Sequence, residues 1–277
     1  MSHVIHARRT GPGAAPAAGI RGSLHAEWTK LRTAPGTGWL LAGVVALTVA
    51  VGIMADAVAR CPAGGCQFDP ARASLTGVYL SQAVIVILAA VTVCGEYSSG
   101  MIRVTLTAMP RRITVLAAKA VTVTGLVLAA AAIAVAGSLL AGRLILPGHG
   151  FGPAHGYPPL SLSAGPVLRA SAGSVLYLAL IGLLSLGIAA AVRETAAAIG
   201  IVLGLLYIFP IIAAVVGSPA ARRHLEQLAP MTAGLDIQAT TGLRGLALSP
   251  WAGLGVLAAW AAGALLIGGL VLRLRDA

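Results

Sequence analysis

The sequence predicts an all-α integral membrane protein with six transmembrane helices, an amphipathic N-terminal interfacial helix, and a short cytoplasmic helix between the second and third spans. Three observations carry this prediction. The chain is 58% hydrophobic and only 10% charged, with a mean hydropathy of +0.91, a balance that soluble domains do not show. It holds six apolar runs, each close to the roughly 20 helical residues needed to cross a hydrocarbon layer of about 30 Å. Its charges fall mostly between those runs, where they orient a membrane chain rather than bind nucleic acid.

Taken in order, residues 1–22 are rich in Ala, Gly, Pro and Arg and lack an apolar run, which reads as a disordered cytoplasmic tail. Residues 23–277 then form one six-helix transmembrane domain. Within Leu24–Arg32, Leu24, Trp28 and Leu31 recur at i, i+4 and i+7, with Glu27, Lys30 and Arg32 mostly off that face. This predicts a helix lying in the membrane interface, and Pro35 and Gly36 break the chain before the first span.

The spans are predicted at 38–58, 75–94, 115–141, 166–192, 195–216 and 251–272. Arg193 and Glu194 are the only charges between the fourth and fifth, so that turn must be tight. The connection 217–250 is too polar to span, and its apolar stretches 225–228 and 243–248 read as short helices on the outer surface. With the N-terminus inside, twelve Lys and Arg fall on the cytoplasmic side and seven outside, so both termini are expected in the cytoplasm. The basic set is 17 Arg and 2 Lys, a skew that reads as codon composition.

The segment between the second and third spans differs from an ordinary loop. Glu96 and Tyr97 close the second span, Ser98, Ser99 and Gly100 form a bend with a serine as helix cap, and Ile102, Leu106 and Met109 repeat at i, i+4 and i+7. Pro110 stops that helix, and Arg111 and Arg112 follow. An apolar stripe on a charged surface segment is what a docking partner reads.

Other groups point to less. Cys61 and Cys66 bracket a flexible stretch and could close a disulfide or remain two free thiols, and spacing does not decide. Cys94 reads as a small packing residue. His149 and His155 share a loop without a carboxylate nearby, so no metal site is predicted and no cofactor is implied. Gly200 with Gly204, and Ala259 with Gly263, have helix-packing spacing. The chain has no H-E-x-x-H, no paired mid-span carboxylates and no phosphate-binding G-x-x-x-x-G-K-[ST], so neither an intramembrane enzyme nor a self-contained ATPase is expected.

The residues Glu96-Tyr97, Gly100-Met101-Ile102-Arg103, Leu106, Pro110, Arg112 and Lys119, together with Glu27-Trp28, Lys30, Leu31 and Arg32 near the N-terminus, resemble the membrane subunits of type-2 ABC transporters, which serve exporters. Met101 departs from the threonine that family prefers, and Ser98-Ser99 from its basic or polar pair. The resemblance implies a permease subunit of an ABC exporter in the cell membrane, working with a second permease subunit and two copies of a separate ATPase. It further implies that Glu96, Tyr97, Gly100, Arg103, Leu106, Pro110, Arg111 and Arg112 form a coupling helix seated on that ATPase. An ATP-independent carrier or a non-transporting membrane protein is the alternative.

Overall fold

The computed structural model describes residues 20–61, 68–101, 112–151, 161 and 164–274, the side chains of Ile20, Arg21 and Arg112 excepted. Every regular element among them is helical: α1 (Ile20–Thr33), α2 (Pro35–Val58), α3 (Pro70–Ser74), α4 (Val78–Ser98), α5 (Arg112–Ile145), α6 (Gly165–Val192), α7 (Thr195–Val215), α8 (Pro219–Leu228), α9 (Pro230–Leu235) and α10 (Pro250–Leu274), with short 3-10 turns at Leu146–His149, Asp236–Gln238 and Leu243–Gly245. Six of these segments are long and apolar enough to cross a membrane: α2, α3 with α4, α5, α6, α7 and α10. The chain is thus a multi-pass helical membrane protein.

The observed spans keep the predicted order and run longer at several ends. Pro35 is the first residue of α2 rather than part of a gap, because a proline at the first helical position lacks only an N–H that has no partner there. α5 continues past Gly142 and Arg143 to Ile145 because Gly142 lies inside the bundle, where an added Cβ would strike Ser74 Oγ. Pro210 sits within α7, which continues to Val215. α1 starts at Ile20, inside the stretch read as a tail; residues 1–19 lie outside the described residues.

In lipid, apolar surface supplies no drive for helix association, so close backbone approach and internal polar contacts hold the spans together. α2 shows this along Val44, Thr48, Gly52 and Asp56, a buried stripe at four-residue spacing with an apolar exterior. Thr48 Oγ1 donates to its own helix at Val44 O (2.6 Å), Ser138 Oγ of α5 donates to Thr48 O (3.3 Å), and Ser74 Oγ of α3 donates to Asp56 Oδ1 (3.0 Å). α6 is the central helix, packed against α4, α5, α7 and α10. Where α6 crosses α10, a Cβ on Gly187 would lie 2.5 Å from Leu265 N, and one on Gly268 would lie 2.5 Å from Gly187 O. The predicted small-residue pair Gly200 and Gly204 does not make such a crossing, since a Cβ on either meets open space.

The connection between α7 and α10 departs from the surface layout expected of it. α8 does lie at the surface with none of its residues buried, and the 3-10 turn at 243–245 has none buried either. Between them α9 and the following turn sink into the bundle, burying Met231, Ala233, Ile237 and Gln238. The polar groups buried with them have partners. Gln238 Nε2 donates to Ser174 Oγ (3.1 Å), and Met231 Sδ accepts from Gln82 Nε2 (3.0 Å). Gln82 also donates to Tyr207 Oη (3.1 Å) and accepts from Tyr177 Oη, so this buried amide joins α4, α6, α7 and α9. Small residues make the room, Gly253 standing against Ala233 O and Gly234 against the Tyr177 ring.

This end of the bundle is tied by Asp69. It caps α3 through Arg72 N (3.1 Å) and accepts from Thr240 Oγ1 (2.6 Å) and Thr241 N (3.0 Å) beyond α9. Cys61 is buried and disulfide-bonded, whereas Cys66 lies outside the described residues. Cys94 is free and buried, with its Sγ toward Ala189 O (3.7 Å), a packing residue as expected. His149 Nδ1 lies 3.1 Å from Ala59 O, and His155 falls outside the described residues.

Gly187→Leu forces a side chain into the α10 backbone and is expected to lower the midpoint of thermal unfolding in detergent by more than ten degrees, or to abolish recovery of folded protein, as overpacking of about 3 kcal/mol or more does. Gly200→Ala, on the open face of α7, should leave the midpoint unchanged or raise it slightly.

Asp236 gives a pH test. Burial pushes its carboxyl up to about 6 from 3.8, Arg72 at 4.0 Å opposing and Glu226 reinforcing the rise. Folding therefore favours the protonated acid, and the stability from this group is highest below about pH 4 and falls as the pH climbs to about 6. Asp236→Asn is expected to flatten that part of the stability–pH curve and to gain about 2 kcal/mol at pH 7, read by denaturant unfolding across pH 4–7.

Candidate functional site

The candidate site lies at the opposite end, where α4 finishes and α5 begins. Local chemistry shapes that exit. Ser98 Oγ (3.2 Å) and Ser99 Oγ (2.7 Å) both donate to Gly95 O. Gly100 follows at φ +70°, the left-handed position that ends a helix and that glycine adopts without strain. The serines thus close α4; the backbone that a serine cap on the next helix would bind lies outside the described residues. Met101 is already helical, while Ile102, Arg103, Leu106, Met109, Pro110 and Arg111 lie outside the described residues.

Glu96, in the last turn of α4, is buried, and its Oε1 accepts from two ammonium groups, Lys30 Nζ of α1 at 2.8 Å and Lys119 Nζ of α5 at 3.0 Å. Glu27 of α1 completes the set, with Oε1 3.0 Å from Lys30 and Oε2 2.7 Å from Lys119. Two carboxylates and two ammoniums thus form a closed ring of ion pairs joining α1, α4 and α5. These are the only two lysines among the nineteen basic residues of the chain. A lysine ends in a compact charge with three donors, which suits bridging two carboxylates, where arginine's planar fork pairs best with one.

The ring sets which side of α1 faces the bundle. Periodicity put Leu24, Trp28 and Leu31 on one apolar face for the membrane interface, with Glu27 mostly off it. In the structure Ser23, Glu27 and Leu31 face inward, Glu27 being 1% exposed, while Trp28 is 46% exposed, Leu24 is half-buried and Arg32 is exposed. The ion pair decides the rotation, because a buried carboxylate is tolerated only against its cations. Lys30 sits at the rim. Burial draws its pKa down, yet the carboxylates of Glu96 and Glu27 more than offset this and leave it above its ordinary value. Glu96 Oε2 is buried with no hydrogen-bond partner among the described residues.

Tyr97, the next residue, points to the other half of the bundle. Its ring lies under the Arg193 guanidinium, 5.2 Å from ring centroid to Arg193 Cζ, within cation–π range. Arg193 occupies the predicted tight turn between α6 and α7 at φ +65°, and its Nη2 donates to Val271 O near the end of α10 (3.4 Å). Glu194 caps α7 by accepting from Ala196 N (2.9 Å) and Ala197 N, and these backbone bonds hold its carboxyl below the usual range. The Glu96-Tyr97 dipeptide thereby touches α1 and α5 on one side and the α6–α7 turn, which itself reaches α10, on the other.

Sequence reading picked out Glu27, Lys30, Glu96, Tyr97 and Gly100 but gave no site role to Lys119, Arg193 or buried Asp56. The signal for Lys119 was the rarity of lysine in this chain. Arg193 gave none beyond its place in a short turn. No group of three or more His, Cys, Asp and Glu able to hold a metal ion occurs among the described residues. The arrangement is electrostatic and mechanical: it neutralises four buried charges while coupling helix ends.

Lys119→Met leaves two buried carboxylates sharing one half-exposed lysine and is expected to destabilise by about 3 kcal/mol. Glu27→Gln combined with Lys119→Met should recover part of that loss, giving a coupling energy of about 1–3 kcal/mol in a double-mutant cycle. Lys30→Met, at the rim, should destabilise less than Lys119→Met.

No known family model matches the chain, and no curated protein matches it either.

Proposed function

We propose that this protein is the membrane-spanning permease subunit of an ATP-driven ABC exporter, working with a second permease subunit and a separate ATPase present in two copies. Both termini lie in the cytoplasm on this reading, as the Lys and Arg distribution favours, and the Glu96 end of the bundle faces the ATPase. The chain has no phosphate-binding loop, so ATP hydrolysis belongs to the partner chain. An apolar or amphipathic substrate suits spans with few free polar groups.

The observation that carries the reading is the junction at Glu96-Tyr97. In the sequence, the segment that resembles a coupling helix follows directly on these residues, and their side chains engage α1, α5 and the α6–α7 turn. A push on that segment reaches several spans through ion pairs and packed rings rather than through a slack loop. Glu96 acts inside this junction, transmitting movement, while Arg103, Leu106, Pro110, Arg111 and Arg112 provide the surface that meets the ATPase. A proton-driven carrier draws on a different observation, buried Asp56, whose Oδ2 has no hydrogen-bond partner among the described residues. That residue sits in the last turn of α2 rather than mid-span.

The test is co-purification with candidate ATPases followed by transport in vesicles. Arg103→Ala is expected to weaken ATPase binding about tenfold. Glu96→Gln is expected to leave binding within about twofold and to lower ATP-dependent transport about tenfold. Unchanged binding and transport in both variants would remove the coupling assignment. Transport driven by a proton gradient, without any ATPase and lost in Asp56→Asn, would replace it with an ATP-independent carrier.

A further inference from the structure

Where α7 and α10 flank α6, a groove of about 840 Å³ opens on the side of the bundle. Leu184 and Ile188 of α6 line its back, Leu205 and Phe209 of α7 one side, and Gly263 and Ile267 of α10 the other. The polar side-chain atom in this lining, Trp260 Nε1, is already committed to Leu228 O at 3.0 Å. The groove therefore suits hydrocarbon.

Its two ends differ. At one, Trp260 and Leu228 line it where α8 ends. At the other, the lining runs to Val192, and the next residue is Arg193, which reaches across to Val271 O on α10. A guanidinium carries five N–H donors; Arg193 uses one on Val271, and its Nε has no hydrogen-bond partner among the described residues. Arg273, exposed in the last turn of α10, adds a second positive charge at this end. Glu194 is the nearby acid, and its carboxylate is turned onto the first N–H groups of α7. Length agrees as well: the lining of α10 runs from Val256 to Ile267, about 16 Å of helix, and one leaflet contributes about half of the roughly 30 Å hydrocarbon layer.

We propose that this groove binds one acyl chain of a phospholipid from the leaflet at the Glu96 end, with the headgroup phosphate against Arg193 and an anionic headgroup preferred. Apolar lining, an arginine directly after the lining residue Val192 and a one-leaflet length fit such a molecule with its headgroup at the Arg193 end. The proposal does not depend on transport. It does place the lipid phosphate on the guanidinium that faces Tyr97.

The experiment uses the full chain in vesicles, with Trp28, Trp39 and Trp251 replaced by Phe so that Trp260 is the fluorescent reporter. Phosphatidylglycerol and phosphatidylcholine with the same brominated acyl chains are titrated separately into unbrominated phosphatidylcholine, bromine quenching tryptophan on contact. Brominated phosphatidylglycerol is expected to quench Trp260 at about fivefold lower mole fraction than brominated phosphatidylcholine, the scale of one arginine against an anionic headgroup. Arg193→Gln should abolish that preference and Arg193→Lys retain most of it. Gly263→Leu, which fills open space in the groove, should weaken quenching by both lipids. Equal quenching by the two lipids, or quenching unaffected by Gly263→Leu, overturns the proposal. So does Ile267→Cys cross-linking two copies in the vesicle, because a second chain then covers the groove. Should Arg193→Gln fail to fold, the comparison of the two lipids and the Gly263→Leu arm still decide.

Discussion

One carboxylate oxygen, Glu96 Oε1, accepts from both lysines of the chain, and the architecture of one end of the bundle depends on it. Charges buried in a low-dielectric interior persist only when each is neutralised and hydrogen-bonded. Glu27, Lys30, Glu96 and Lys119 meet that condition together and could not meet it singly. α1 is therefore part of the bundle, with its rotation set by where Lys119 stands. The neighbouring Tyr97 extends the same constraint to Arg193 and, through it, to α10. Two consecutive side chains at the end of one helix thus gather helix ends that are far apart in sequence.

Away from that ring, small residues and local hydroxyl bonds do the packing. Gly187 and Gly268 let α6 and α10 approach until backbone meets backbone, and Gly52 and Gly77 do the same for α2 against α3 and the start of α4. Thr48, Ser74, Ser138 and Ser174 return their hydroxyls to nearby backbone or to one partner, leaving no free donor toward lipid. The alanine and glycine content that makes the spans look featureless in sequence is what permits this closeness. The same economy accommodates α9, whose Ala233 and Gly234 fit where larger side chains would clash.

Features set by neighbours along the chain were legible in the sequence. Hydropathy over about 20 residues marked six spans. Pro35 marked a break in the chain, though as the first residue of α2 rather than a gap before it, the Arg193–Glu194 pair marked a tight turn, and Gly100 with the two serines marked a change of direction. Periodicity was right that α1 is helical but carried no sign of its bundle-facing side, because it weighs apolar side chains and gives no credit to a carboxylate that will meet a lysine ninety-two residues away. The burial of 230–238 left no local sign for the same reason: Gln238 and Asp236 count as polar until Ser174 and Arg72 are set beside them.

The sequence alone determined the class of the protein, the number of its spans and the places where the chain leaves the apolar layer, because each depends on the composition of one continuous segment. Tertiary structure decided which charges are buried, which glycines are crossings and which are open, and that the Glu96-Tyr97 junction binds both halves of the bundle. Those outcomes depend on partners from different helices. The energy of a buried ion pair or a backbone crossing exists only once both sides are in place, and no local pattern records it.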